Sequence, residues 1–409
     1  MNCRFCNKAV NTEFADLVNS PASNSYLTEE QLNEPETFFP LKVMVCESCF
    51  LVQVDEYKKS SDIFNQDYAY FSSFSTSWLA HCKRYADMMT ERFGFNSNSL
   101  VVEIASNDGY LLQYFNEKKI PVLGVEPTAN TAAVAIKKGI PSVVDFFGVR
   151  LATQLVKEGK KADLLLGNNV LAHVPDINDF VGGMKVLLKP EGVITMEFPH
   201  LFQLVLNNQF DTIYHEHFSY LSFTTVQKIF EAQGLVMFDV EEVTTHGGSL
   251  RIFAKHNDDG AKAVGERVAT MLKKEKDAGM LSIDYYKNFQ DKIEIIKTDL
   301  LEFLLAQKKN GKTVAAYGAA AKGNTLLNYC GVKKDLISFV VDANPHKQNK
   351  FMPASHIPIC AENRIKETKP DFILILPWNL KEEISKQLAY VKDWNCKFVV
   401  PVPKLEVFS

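Results

Sequence analysis

The sequence predicts an α/β protein in three parts: a small cysteine-built domain, a parallel-sheet domain, and a second parallel-sheet domain reached through a helical stretch. Two Cys-x-x-Cys pairs, Cys3/Cys6 and Cys46/Cys49, stand near the N-terminus. Apolar runs of strand length then alternate with helical patterns, and the alternation resumes after a Lys/Glu-rich stretch. Such alternation implies a largely parallel sheet covered on both faces. At 409 residues the chain also exceeds one ordinary core.

Taken in order, residues 1–68 read as short strands and turns around the cysteine pairs, with a polar middle rich in Pro and Asn. Residues 69–258 carry the strand-like runs Leu100–Ile104, Val122–Val125, Asp163–Leu166 and Val193–Phe198. Leu235–Val240 and Leu250–Ala254 follow closely enough to form an antiparallel hairpin at the sheet edge. Residues 259–310 show helical spacing at Ile293, Ile296, Leu300, Leu301 and Leu304 and read as a connector. Residues 311–409 repeat the α/β pattern through Val314–Gly318, Ile337–Asp342, Phe372–Leu376 and Phe398–Val400. The chain thus carries two Rossmann-like units.

The bulk numbers exclude several classes. The chain is 46% hydrophobic and 23% charged, with a formal net charge of -4. That is a globular composition without the basic footprint of a nucleic-acid binder. No N-terminal apolar region and no apolar run of spanning length stands out, so the reading is cytoplasmic, with no membrane partner. Of the eight cysteines, Cys82, Cys330, Cys360 and Cys396 are scattered and read as inert thiols of a reducing compartment.

The paired cysteines read differently. Each Cys-x-x-Cys can offer two thiolates from one turn, and two pairs close a tetrahedral Zn²⁺ site of Cys3, Cys6, Cys46 and Cys49. The gap between the pairs is longer than in compact zinc ribbons, so a loop is inserted. Four thiolates leave the metal no open position, which makes the zinc structural. Surface thiols or a redox pair are the competing readings.

Glu103-Ile-Ala-Ser-Asn-Asp-Gly109 runs from a strand into a tight loop that opens a helix. Backbone and small side chains there can approach a ligand at the carboxyl end of the strand. The glycines do not match G-x-G-x-x-G, so a nicotinamide dinucleotide is poorly served. Glu126 ends the next strand, where an acid can take two ribose hydroxyls, and Asn168-Asn169 end the third. The order strand, loop, helix, strand, acid is that of a nucleoside-binding half; the bland reading is a glycine turn and a solvated acid.

Tyr317-Gly-Ala-Ala-Ala-Lys-Gly-Asn-Thr325 also follows a strand and opens a helix. Gly318, Ala319, Gly323 and Asn324, with the Lys322 ammonium and Thr325 hydroxyl, read as a pyrophosphate cradle, and Asp342 as a ribose or base contact. A nucleotide fold kept only for packing is the alternative. Gly248 and Ser249, in the turn His246–Ser249, read as lining a substrate cleft, while Arg251 reads equally well as a surface charge.

The densest chemistry lies in Tyr214-His215-Glu216-His217. A phenol, two imidazoles and a carboxylate in consecutive positions suit proton transfer near neutrality. A zinc-protease helix needs His-Glu-x-x-His, a spacing this run lacks. On an extended segment His215 turns away from His217, which gives it a structural role.

With these motifs in hand, the chain resembles S-adenosylmethionine-dependent methyltransferases. More narrowly, it resembles the sugar C-methyltransferases that act on nucleotide-linked 4-keto-deoxysugars. The likeness spans essentially the whole chain and rests on the cysteine pairs, Glu103–Gly109, Asn168–Val174, Tyr214–Tyr220, His246–Arg251 and Tyr317–Thr325. It implies a structural zinc domain, a central Rossmann-like methyltransferase domain, and a C-terminal Rossmann-like domain that contributes to nucleotide-sugar binding. Glu103, Ala105, Asn107, Asp108, Gly109, Glu126, Asn168 and Asn169 then hold S-adenosylmethionine. His217 corresponds to the base that removes the proton beside the sugar ketone, for methylation at C-3'. Tyr214, His173 and Tyr70, or its neighbour Tyr68, donate to the enolate or orient the sugar, and Glu216 holds the base in its tautomer. Tyr68 and Tyr70 have aromatic packing as their alternative, and His173 a core hydrogen bond. The rivals for the chain are an O- or N-methyltransferase of this architecture and a zinc- and nucleotide-binding protein without activity.

Overall fold

The computed structural model describes residues 1–60 and 71–409. Tyr68 and Tyr70, and the boundary between the first two expected domains, lie outside the described residues. The chain forms two compact units from interleaved segments. Unit 1 comprises Met1–Asn11, Cys46–Leu201 and Phe218–Ser282; unit 2 comprises Thr12–Val45, Phe202–His217 and Ile283–Ser409.

Unit 1 is built on a seven-stranded sheet. Its strands are β1 (Val101–Ile104), β2 (Val122–Val125), β3 (Ser142–Val143), β4 (Ala162–Asn168), β5 (Leu188–Pro199), β6 (Leu235–Val243) and β7 (Ser249–His256). The spatial order is β3-β2-β1-β4-β5-β7-β6. The first five are parallel, whereas β7 runs antiparallel to both β5 and β6, as the closely spaced last runs require. The order reverses between β1 and β4, so the crevice outside their carboxyl ends is where such a sheet takes its ligand. The helix Thr76–Phe93 covers one face. It starts on Ser75, whose Oγ accepts from the Trp78 amide at 3.3 Å, and stops at left-handed Gly94. Cys82, Tyr85, Ala86 and Met89 recur at helical spacing and bury against Val101, Leu164, Leu166 and Phe253. The scattered Cys82 is therefore core packing.

Unit 2 holds the second Rossmann-like sheet: β8 (Val314–Tyr317), β9 (Val340–Val341), β10 (Ile359–Cys360), β11 (Phe372–Ile375), β12 (Lys397–Val400) and β13 (Glu406–Phe408). The order is β10-β9-β8-β11-β12-β13, parallel except for β13. The helix Phe289–Lys309 buries Phe289, Ile293, Ile296, Leu300 and Leu304, the stripe its spacing demands. An antiparallel pair, Thr12–Ser20 with Phe39–Val45, supplies Phe14, which stacks on Phe289 at 4.6 Å between ring centroids.

The stretch expected to connect the two sheets divides between the units. The helix Glu266–Asp277 belongs to unit 1, where Glu275 accepts from the amides of Phe223 and Thr224 and from His200 Nε2. The next long helix belongs to unit 2. Among the described residues no helix is long and apolar enough to cross a membrane.

Candidate active site and zinc centre

The four paired cysteines form two matching hairpins in unit 1. The Cys3 amide donates to Lys8 O and the Asn7 amide returns to Cys3 O; Cys46, Leu51 and Phe50 repeat the pattern. Asn7 (φ 59°) and Phe50 (φ 64°) both take the left-handed turn position. That conformation is costly for phenylalanine, so the surrounding loop must enforce it. The four sulfurs lie within 4.8 Å of one another, with Cys3–Cys49 at 3.5 Å and Cys6–Cys46 at 3.6 Å. A tetrahedron with Zn–S near 2.3 Å needs sulfurs about 3.8 Å apart, so the set fits Zn²⁺. Contact between Cys3 and Cys49 draws the Cys3 thiol down and pushes the Cys49 thiol up, so without a metal the two sulfurs share a proton.

The ends of β1, β2 and β4 form the second site. Beyond Ile104 the chain takes two left-handed residues, Ala105 (φ 58°) and Asn107 (φ 48°), before Gly109 at φ 76°. A Cβ on Gly109 would meet Ile140 at 3.1 Å as well as strain the backbone, so the turn requires glycine. Glu126 is buried at the end of β2; its Oε2 accepts from the Asn107 amide and its Oε1 from the Thr128 amide, each at 2.9 Å. Oε1 also accepts from the Thr128 hydroxyl, so Oε2 is the oxygen that keeps a lone pair for a ligand hydroxyl. Burial pushes the Glu126 carboxyl above its ordinary range, against the Thr128 and Asn107 hydrogen bonds. Burial raises Glu103 further, opposed by the Tyr110 hydroxyl.

Buried polar atoms around these strand ends fit a polar guest. Ser106 Oγ, Asp108 Oδ1, Asn168 Nδ2 and Asn169 Oδ1 have no hydrogen-bond partner among the described residues. Orphaned buried groups are expensive unless a ligand takes them up. Donors, acceptors and acids are mixed here, which fits the amino-acid and ribose groups of S-adenosylmethionine.

In unit 2, Tyr214–His217 form a tight turn, closed by His217 N donating to Tyr214 O at 2.9 Å, instead of the extended segment expected. The His217 ring is buried. Its Nδ1 lies 2.8 Å from the carbonyl oxygen of Thr212, and Nε2 lies 2.8 Å from Tyr214 Oη. A carbonyl can only accept, so Nδ1 carries the proton and Nε2 presents a lone pair, to which the Tyr214 hydroxyl donates. The tautomer is thus set by Thr212. Glu216 instead accepts from Asn24 Nδ2 at 2.7 Å, and His215 Nε2 donates to Pro40 O at 3.1 Å.

Comparisons with known proteins match each of the three parts of the chain. A model described as a methyltransferase domain matches residues 78–240, a zinc binding domain model matches 3–64, and a C-methyltransferase C-terminal domain model matches 244–403. The C-methyltransferase NovU of Streptomyces niveus is 34% identical over 407 residues, covering 100% of this chain and 96% of its own. The chain belongs to the C-methyltransferase family. Among solved structures, an S-adenosylmethionine-dependent methyltransferase from Anabaena variabilis aligns with TM-score 0.36 and 15% identity over 44% of this chain and 86% of its own. Magnesium protoporphyrin IX methyltransferase from Synechocystis aligns with TM-score 0.33 and 14% identity over 43% of this chain and 78% of its own.

This C-methyltransferase therefore uses S-adenosylmethionine and carries a zinc-binding domain. Within unit 1, His173 ends a short 3-10 turn, Leu171–His173, just beyond β4 and Asn168-Asn169. Gly248 and Ser249 lead into β7, but the Ser249 hydroxyl is buried and donates to Thr245 O at 3.0 Å.

The 317–325 loop differs from its expected use. A Cβ on Gly318 would lie 2.5 Å from Pro377 Cδ, and one on Gly323 2.7 Å from Leu376 Cδ1. These glycines admit the loop after β11, where a phosphate was expected. The Thr325 hydroxyl is buried and donates to Ile213 O at 2.8 Å, and the Asn324 amide donates to Ser23 O. The Thr325 hydroxyl hydrogen and one of the two Asn324 amide hydrogens are thereby committed within unit 2, each tying the helix to a neighbouring segment. Ala319 O accepts from Tyr26 Oη at 2.6 Å and Lys347 Nζ at 2.8 Å. Lys322 lies 4.9 Å from the Trp378 ring centre and reaches Asn379 Oδ1 at 3.3 Å. Asp342 accepts from the Asn344 amide at 2.8 Å.

One buried network had no sequence signal. Glu197, on β5, accepts from His81 Nε2 and Arg251 Nη2 at 2.9 Å each and from Thr245 Oγ1 at 2.7 Å. Burial alone would raise its carboxyl, but His81 and Arg251 hold it at about 2. Arg251 is thereby a buried partner, 6% exposed, and not a surface charge.

Proposed function

We propose that this C-methyltransferase acts on a nucleotide-linked 4-keto-6-deoxysugar, removing the proton beside the ketone and methylating that carbon at C-3'. The observation that carries the reading is the fixed tautomer of His217, whose Nε2 lone pair faces the Tyr214 hydroxyl at 2.8 Å. Carbon is a poor nucleophile until such a C–H is broken, so the reaction needs a base near neutrality and a donor for the enolate oxygen.

In this mechanism His217 Nε2 takes the proton while the C–H electron pair moves into the enolate. The Thr212 carbonyl, accepting from Nδ1–H, stabilises the imidazolium that results. Tyr214 gives up its hydrogen bond to Nε2 and donates to the substrate oxygen; His173 and Tyr70 join it in orienting the sugar. Bound S-adenosylmethionine supplies the methyl group. Glu126 Oε2 would accept from a ribose hydroxyl of the donor, and Asp108, Asn168 and Asn169 would hold its amino-acid portion. Lys322 remains the candidate for the diphosphate, and Asp342 for the ribose or base of the nucleotide. We place the reaction in the cytoplasm, where the unpaired thiols stay reduced.

The test is incubation with S-adenosylmethionine and a panel of nucleotide-linked 4-keto-6-deoxysugars in deuterated water, read by mass spectrometry and NMR. The expected product carries a carbon-bound methyl, and unreacted substrate exchanges its proton beside the ketone. Exchange absent with every sugar, or a methyl on oxygen, overturns the reading.

A further inference from the structure

An asparagine side chain can present either its oxygen or its nitrogen to a ligand, and in unit 1 Asn169 is paired with a histidine from the turn between β6 and β7. Asn169 Nδ2 donates to His246 Nε2 at 2.9 Å. Its Oδ1 is buried and has no partner among the described residues. Nε2 accepts, so the His246 proton sits on Nδ1. The two assignments go together, since the reversed amide would pair with a His246 that carries its proton on Nε2.

The pair is held from a common point. The Asn169 amide donates to the main-chain oxygen of Glu197 at 2.7 Å, while the Glu197 side chain holds Thr245, the residue before His246. His81 and Arg251 lock that carboxylate from the other side. His246 itself has φ 54°, uncommon outside glycine, and its ring packs 5.3 Å from Trp78 between centroids. Backbone strain at a position fixed by several buried bonds marks a side chain whose direction matters.

We propose that His246 is a positioning residue that turns the Asn169 carbonyl oxygen towards the methyl donor, where it accepts from the ammonium of the amino-acid portion. This rests on the reading of Asn169 as a cofactor residue. His246 touches neither the sulfonium nor the sugar in this role; it sets which atom of Asn169 the donor meets.

Calorimetric titration of the full-length, zinc-loaded protein with S-adenosylmethionine tests it on wild type, His246→Leu, His246→Gln, Asn169→Ala and the Asn169→Ala/His246→Leu double variant. Asn169→Ala and His246→Leu are each expected to weaken binding about tenfold or more, as loss of a hydrogen bond to a charged group does. His246→Gln keeps an acceptor for Nδ2 and should bind within about threefold of wild type, and the double variant no worse than Asn169→Ala alone. Wild-type affinity in His246→Leu with weak binding in Asn169→Ala overturns the role of His246 alone. Losses that multiply in the double variant, or a His246→Gln as weak as His246→Leu, overturn it too. Wild-type affinity in Asn169→Ala removes the cofactor reading and the proposal together.

Discussion

Arg4 Nη1 donates to the carbonyl oxygen of Pro175 at 2.9 Å, so a residue between two zinc-binding cysteines grips the loop that follows His173. The same guanidinium donates from Nη2 to Val54 O and packs 5.3 Å from the Phe218 ring centre. Asn178 Nδ2 answers by donating to Phe5 O at 2.9 Å. The zinc hairpin is thus fastened to the methyltransferase sheet through side chains that have no part in binding metal.

Arg4→Met should keep its zinc yet loosen residues 171–178. Hydrogen exchange there is expected to rise and kcat to fall about tenfold, with zinc content by atomic absorption unchanged. A variant with wild-type exchange and kcat would show that Arg4 only packs.

Removal of the metal should go further. Cys46→Ser, or a chelator, is expected to lower the Tm of the whole chain and to release one zinc per protein, since structural zinc contributes directly to folding. Differential scanning calorimetry alongside a colorimetric zinc assay would detect both, and an unchanged Tm would deny the site its structural role.

His217→Asn should reduce turnover by ~10²–10⁴-fold while S-adenosylmethionine affinity stays near wild type. Single-turnover kinetics and calorimetry separate the two effects. Wild-type rates would remove His217 as the base.

Glu197 makes a prediction about acid. Its carboxyl sits at about 2 against an ordinary 4.5, a difference worth roughly 3 kcal/mol at 1.36 kcal/mol per pH unit. Because the folded value is depressed, that stability is present above pH ~4.5 and is lost as pH falls towards ~2. Wild type should therefore lose more stability between pH 5 and 2.5 than Glu197→Gln, measured by urea unfolding at each pH.

Gly318→Ala should destabilise the protein by about 1–3 kcal/mol, because its Cβ would press on Pro377 from a backbone at φ 91°. Chemical unfolding followed by tryptophan fluorescence reads this directly. A neutral outcome would return Gly318 to the role of a ligand-approach glycine.

Much of this was legible in the sequence because the signals are local. Cys-x-x-Cys is a turn and a pair of ligands at once, strand-length runs mark the two sheets, and Glu126 announces itself by ending a strand. What was hidden depends on partners distant in sequence. Arg251 cannot be told from a surface charge until β7 is set beside β5 and brings it to Glu197. Thr212, which sets the His217 tautomer, does so through a backbone carbonyl that any residue type would provide. The glycines of the 317–325 loop resemble a phosphate turn because close approach to Pro377 and close approach to a phosphate demand the same missing side chain.

The interleaved path of the chain bears on its synthesis. Thr12–Val45 belongs with segments that begin again at Phe202 and Ile283. At about 5–20 residues per second, the ribosome delivers Ile283 roughly ten to fifty seconds after Val45. The strand pair Thr12–Ser20 with Phe39–Val45 must wait out that interval with Phe14 uncovered, since Phe289 is not yet made. No single truncation yields either unit whole, and a ribosome that stops short of Ile283 leaves behind an orphaned hairpin for chaperones to hold.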